Sequence, residues 1–267
     1  MIKKEIVDLK KLSWTKTRQS SGTAGSYLKS YSYSNGKKVY YKLSFFDDIN
    51  GIFGYESVNE IISLRIMELL GYNHLKYDLI HGLILIDNKE YETYLNSSFD
   101  FKKINESKIT LENFYDINKK PNESKIDFLT RYGFINDIYK MIIIDFLINN
   151  KDRHGANIEI LINNKTNAMR LAPFFDQGLS FLSPLYKKED IESFDPNIIK
   201  KTNSYIGTSD LLLNLKMVPR EMLPNIKLDY GYIFNDLYEL IDNDYLNKCK
   251  LLLMNRWDIL ENLRNKK

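Results

Sequence analysis

The sequence predicts an α+β fold in two lobes: a small N-terminal lobe built on an antiparallel sheet with one helix, and a larger helical lobe across a cleft. Three observations carry this expectation. Aromatic and β-branched residues flank Asn35-Gly36 early in the chain, which is a hairpin signal. One run with helical spacing then interrupts an otherwise strand-like first half. From about Phe99 the texture changes, and Leu and Ile recur at helical spacing to the C-terminus.

The elements follow in order. Residues 13–48 read as strand, tight turn, strand, with Tyr27-Leu-Lys-Ser-Tyr-Ser-Tyr33 and Lys38-Val-Tyr-Tyr-Lys-Leu-Ser-Phe45 on either side of Ser34-Asn-Gly36. Residues 57–70 carry apolar side chains at 58, 61, 62, 66, 69 and 70 and stop at Gly71, as a helix does. Residues 78–86 and 90–95 are strands around an Asp87-Asn-Lys turn. Helices are expected over 110–118, 124–133 and 135–148, the last with Ile135, Ile138, Ile142 and Phe146 on one side. The segment 149–178 reads as loops and short strands, with 158–162 the most strand-like. Further helices are expected at 208–216, 230–242 and 244–264, while 179–210 shows no decodable pattern. The boundary between lobes is placed at 97/98, giving 1–97 and 98–267.

Composition narrows the function classes. Of 267 residues, 43% are hydrophobic and 27% charged, an ordinary balance for a globular chain. A net charge of +3 from 38 basic and 35 acidic residues argues against a direct nucleic-acid or membrane surface. One cysteine, Cys249, excludes an internal disulfide, and three histidines without a His/Cys cluster give no zinc constellation. The longest apolar stretch, Met141-Ile-Ile-Ile144, is too short to span a membrane, and no secretory signal precedes it. A cytoplasmic location is expected, with delivery as an effector left open.

The chemistry concentrates in a few places. Asp152 and Asn157 stand five apart, between the apolar end of a helix and a strand, and Phe174-Phe-Asp-Gln-Gly178 follows. Asp-x4-Asn also begins at Asp100, Asp145 and Asp242, but only the Asp152 copy has this context. In kinases a catalytic-loop Asp orients the acceptor hydroxyl and takes its proton late, an Asn on the same loop holds magnesium, and a later Asp supplies a second ligand. Asn157 and Asp176 offer the hard oxygens Mg2+ prefers. His154 is read as holding the loop by hydrogen bonds, and Arg153 as either a phosphate or activation-segment contact or a solvated side chain. Upstream, Ser20-Ser-Gly-Thr-Ala-Gly-Ser26 is a small-residue turn whose backbone N–H groups can approach phosphate, through Ser21, Gly22, Thr23, Ala24 and Gly25. Lys42, inside an aromatic strand, needs an anion to meet it. Glu60 is preferred over Glu56 as its helix partner, against the rival that Ser57-Val-Asn-Glu60 is a capping box.

Together these residues resemble the HipA-like Ser/Thr kinases, in their short, stand-alone kinase-lobe form. The likeness runs from about residue 17 to the end. It rests on the 20–26 loop, Lys42, Asn59-Glu60, Ser98-Phe-Asp100, Asn150-Lys-Asp-Arg-His154 with Asn157, and Phe175-Asp-Gln-Gly178. It implies a bilobal protein-kinase-like fold and ATP- and Mg2+-dependent phosphorylation of a protein Ser/Thr. Asp152, Lys42 and Glu60 would be catalytic, and His154, Asn157 and Asp176 would face the nucleotide or metal. It also implies autophosphorylation at Ser21 or Ser20, a toxin or effector setting, and a possible antitoxin or missing-subdomain partner chain. Two departures stand out: Ala156 replaces a usual lysine, and Asp152-Arg-His-Gly-Ala-Asn157 is close to the motif of phosphoinositide kinases. A lipid or small-molecule kinase and a catalytically silent binding module are therefore the alternatives.

Overall fold

The structure is a computed structural model describing residues 1–15, 27–198 and 201–266. Its first half is one sheet and one helix: β1 (Ile2–Asp8), β2 (Tyr27–Ser34), β3 (Lys37–Asp47), β4 (Gly51–Phe53), α1 (Glu56–Leu69), β5 (Asp78–Ile86) and β6 (Lys89–Phe99). The strand order is β1-β5-β6-β3-β2, with β4 on β3. Both expected hairpins form on two-residue turns, Asn35-Gly36 (φ 49° and 74°) and Asp87-Asn88 (φ 51° and 63°). Paired left-handed residues match the twist of the flanking strands, which is why these residue types serve there. The sheet is antiparallel except at one edge, where β1 runs parallel to β5. That strand has no sequence signature because most of its residues are exposed, leaving no apolar alternation to read.

The second half contains β7 (Glu106–Thr110), α2 (Leu111–Asn118), α3 (Lys125–Arg131), α4 (Ile135–Leu147), β8 (Asp152–Arg153), β9 (Glu159–Asn163), β10 (Met169–Leu171), α5 (Lys188–Ser193), β11 (Asn203–Ser204), α6 (Leu211–Lys216), α7 (Tyr230–Phe234) and α8 (Asn243–Asn265). The order β10-β9-β7 makes a small antiparallel sheet, and β11 pairs in parallel with β8. Thr110, Ser124, Asp210, Asp229 and Asp242 accept backbone N–H bonds at the starts of α2, α3, α6, α7 and α8. Such caps satisfy donors that a helix's first turn cannot. The helix expected over 230–242 stops early: α7 gives way to a 3-10 turn at Asn235–Leu237, where Asp236 pairs with Arg65 of α1.

Packing divides the molecule unequally. Leu28, Leu43, Ile80, Ile84, Ile86 and Leu95 form a small core within the sheet. Val58, Ile61, Ile62, Ile66 and Met67 of α1 belong instead to the large core, with Phe146 of α4 and Leu253 of α8. Tyr55 stacks on Tyr245 of α8 with ring centroids 3.8 Å apart, and the Tyr245 hydroxyl donates to Asn59 Oδ1 at 2.8 Å. By packing, then, the apolar face of α1 joins the large core while the helix also lies against β3, β5 and β6. Among the described residues no helix is long and apolar enough to cross a membrane.

Candidate active site

A cleft of about 380 Å³ lies between the sheet and the second lobe. Lys42, on β3, projects into it beside Lys29, Tyr77, Asn157 and Asp176. The Lys42 ammonium is 3.5 Å from Glu60 Oε1 and pairs with Asp176 Oδ1. Burial alone would lower the Lys42 pKa, but Asp176 and then Glu60 outweigh it and hold the pKa above its ordinary value. For Asp176, burial works upward, yet Lys42, Lys29 and Arg153 keep the carboxyl well below the usual carboxylate range. Burial wins at Glu60, whose carboxyl sits above its ordinary value despite Lys42. Two carboxylates share one ammonium, and Asp176, in closer contact, takes the larger part.

The ion pair thus involves Glu60 and not Glu56. The capping-box alternative is not realised: Tyr55 is the helix N-cap, and the Ser57 N–H donates to Ser44 Oγ at 3.1 Å. Glu60 Oε2 instead accepts the Gln177 N–H at 2.9 Å, locking α1 to the loop that carries Asp176. Asn59 adds to this lock by donating to the carbonyls of Gly178 and Ser180 at 3.0 and 3.1 Å. Glu56 turns away and accepts from Ser183 Oγ at 2.6 Å.

After α4 the chain reverses through Asn149, at φ 54°. The buried Asp145 then organises the turn that follows. Asn150 Nδ2 donates to Asp145 Oδ1 at 2.7 Å, and Asn150 Oδ1 accepts the Asp152 N–H at 3.1 Å. Arg153, 4% exposed, pairs with Asp145 at 2.9 Å and donates to the carbonyls of Phe175 at 3.0 Å and Asn157 at 3.3 Å. It is neither a solvated side chain nor a free phosphate contact, but a buried pin between the Asp152 loop and the Asp176 loop. Asp176 itself is left-handed at φ 62°, and its N–H donates to the Tyr77 hydroxyl at 3.3 Å.

Asp152 Oδ1 accepts from Asn203 Nδ2 at 3.0 Å, on the strand β11 that pairs with β8. His154 Nε2 lies 3.6 Å from Asp152 Oδ2 and does not line the cleft. Asn157 Nδ2 donates to the Asp152 carbonyl at 3.0 Å, leaving its buried Oδ1 with no protein partner. A buried amide oxygen without a partner is costly unless something outside the protein meets it. Asn157 and Asp176 line one cleft, and their side-chain oxygens are a donor set that fits Mg2+, which takes one or two protein oxygens and completes its shell with phosphate and water. Among the described residues there is no group of three or more His, Cys, Asp or Glu able to hold a metal ion.

Lys42, Glu60, Asn157 and Asp176 therefore converge, with Asp152 joined to Asn157 through its carbonyl. Ser20, Ser21, Gly22, Thr23, Ala24 and Gly25 lie outside the described residues. Asp145, Tyr77 and Asn203 escaped the sequence analysis, and Asn150 was singled out only as part of the Asn150-Lys-Asp-Arg-His154 motif. One signal existed: Asp145-x4-Asn150 is a second copy of the spacing, and its two ends are hydrogen-bonded. Asn203 has no local signal, since its partner is 51 residues away.

Among solved structures, the Helicobacter pylori proinflammatory kinase CtkA matches with a TM-score of 0.65 and 13% identity, over 97% of both chains. The fold is a kinase fold. The bilobal kinase-like fold expected from the motifs is met at this level. HipA of Shewanella oneidensis MR-1, from its complex with HipB and operator DNA, matches with a TM-score of 0.47 and 15% identity, covering 92% of this chain and 67% of that one. No family model matches the chain, and no curated protein does.

Proposed function

We propose that the chain transfers the γ-phosphoryl group of ATP to a Ser or Thr hydroxyl of a protein. The observation behind this reading is Lys42, bridged between Glu60 and Asp176 at a cleft where Asn157 presents an unpartnered oxygen. One ammonium between two carboxylates suits a polyphosphate that arrives with a divalent cation, because the phosphates meet the ammonium and the cation meets the carboxylate.

The residues divide the work as follows. Lys42 moves from Asp176 onto the α- and β-phosphates, and Glu60 keeps its ammonium aimed there. Asp176, released from Lys42, and Asn157 are the residues that would hold Mg2+. That ion, when bound, neutralises charge building on the β/γ oxygens. Asp152 orients the acceptor hydroxyl and takes its proton late, while Asn203 fixes one carboxylate oxygen and leaves the other available. Autophosphorylation at Ser21, with Ser20 second, would add about −2 charge beside the nucleotide and so oppose its binding.

The test is intact mass spectrometry of the purified chain after incubation with Mg-ATP, alongside Asp152→Ala. Gain of phosphate in the wild type alone is expected. Absence of phosphate on the wild type and on every protein of an added cell extract sinks the reading. Transfer only to free small-molecule hydroxyls would move the acceptor to the class that the Asp152-Arg-His-x-x-Asn157 string suggests.

A further inference from the structure

Lys29 lines the same cleft, on β2, directly opposite Lys42 in the antiparallel register. Residues so opposed leave the sheet on the same face, and like charges placed there repel. Lys42 answers its charge with Glu60 and Asp176, and the third cleft lysine, Lys108, pairs with Glu159 at 2.9 Å. Lys29 has no ion pair among the described residues. Dehydration at the cleft wall and the nearby Lys42 lower its pKa, although the side chain as a whole stays exposed. An ammonium set against another ammonium, facing a cavity with carboxylates nearby but none in contact, is stabilised by an anion from outside.

Charge count gives the anion's place. Lys29 and Lys42 balance Glu60 and Asp176, so the four groups sum to zero. Without Lys29 the centre would carry net negative charge and repel a polyphosphate. We propose that Lys29 is a second phosphate-binding cation, meeting the phosphate chain of the nucleoside triphosphate that Lys42 anchors. This rests on the nucleotide reading given above. A neutral base or ribose offers an ammonium no comparable gain, so the contact discriminates by charge.

The experiment measures dissociation constants for Mg-ATP and for adenosine with wild type, Lys29→Met and Lys29→Arg, plus the ligand-free Tm of each. Lys29→Met is expected to weaken Mg-ATP about tenfold, the size of one lost charge-assisted hydrogen bond, and to leave adenosine unchanged. Its ligand-free Tm should equal or exceed that of the wild type, because a like-charge pair has been removed. Lys29→Arg should keep Mg-ATP within about threefold of wild type. Unchanged Mg-ATP affinity in Lys29→Met, or an equal loss for Mg-ATP and adenosine, overturns the proposal. If the wild type itself binds neither ligand, the nucleotide reading falls and this one falls with it; if the wild type binds Mg-ATP and Lys29→Met binds it equally well, only this one falls.

Discussion

Glu56 and Glu60 lie one turn apart on α1, both buried, and only Glu60 has a cation beside it. Burial raises the Glu56 carboxyl above its ordinary value, the Ser183 bond only partly offsets this, and Oε2 has no partner. A carboxyl raised in the folded state stabilises the fold fully below its unfolded pKa and loses that contribution as pH rises through the folded pKa. Glu56→Gln removes this penalty. Its Tm should exceed the wild type's at about pH 8, with the difference shrinking toward about pH 4.5; a gain that does not change with pH would refute the account. Asp176 runs the other way. Its depressed carboxyl contributes stability above the unfolded carboxylate pKa and loses it as pH falls through the folded value. At this scale the cleft residues Asn157 and Asp176 were legible, because with Asp152 they carry a spacing with a chemical reason. Arg153 was not, since a buried arginine reads as a solvated one until Asp145 is seen beside it.

Among the elements, α4 does most to place the site. Its C-terminal Asp145 holds Asn150 and Arg153, and through Arg153 it reaches the carbonyl of Phe175, next to Asp176. Removing one partner of a buried pair leaves an uncompensated charge, so Asp145→Ala should destabilise the fold by about 3–5 kcal/mol, read by chemical denaturation. A loss below about 1 kcal/mol, the range of exposed pairs, would mean that water already reaches Arg153. Helices α2, α3, α4 and α8 were readable because long periodic runs and capping residues are local signals. β7, β10 and β11 were not. Each is short; β7 and β11 exist because a distant segment supplies the partner, β9 and β8 respectively, while β10 is three residues folded back on neighbouring β9. The segment 179–210 hid α5 and β11 for the same reason.

For the molecule as a whole, two unequal cores predict uneven stability. The small sheet core should open more readily than the large one, so amides of β2 and β3 should exchange hydrogen faster than those of α4 and α8. Uniform exchange across both would show a single cooperative unit. Mg-ATP at about a hundred times its dissociation constant should add about 2.7 kcal/mol of stability, a rise in Tm of about 5–10 °C for a chain of this size. Absence of any shift would remove the nucleotide from the account. The bilobal outline was legible because hairpin turns and helical periods segregate along the chain. The allegiance of α1 was not, because its apolar face is equally compatible with either core.

That allegiance bears on how a small molecule can enter the cleft. A compound that works by wedging α1 outward must first uncover Val58, Ile61, Ile62, Ile66 and Met67. Exposing five such side chains costs roughly 10 kcal/mol, comparable to the whole binding free energy of a ligand of micromolar to nanomolar affinity, about 8–12 kcal/mol. Chemistry aimed at this protein should therefore start from the shape with α1 in place, and take its selectivity from the side chains of the cleft wall, Tyr77, Phe101 and Phe175.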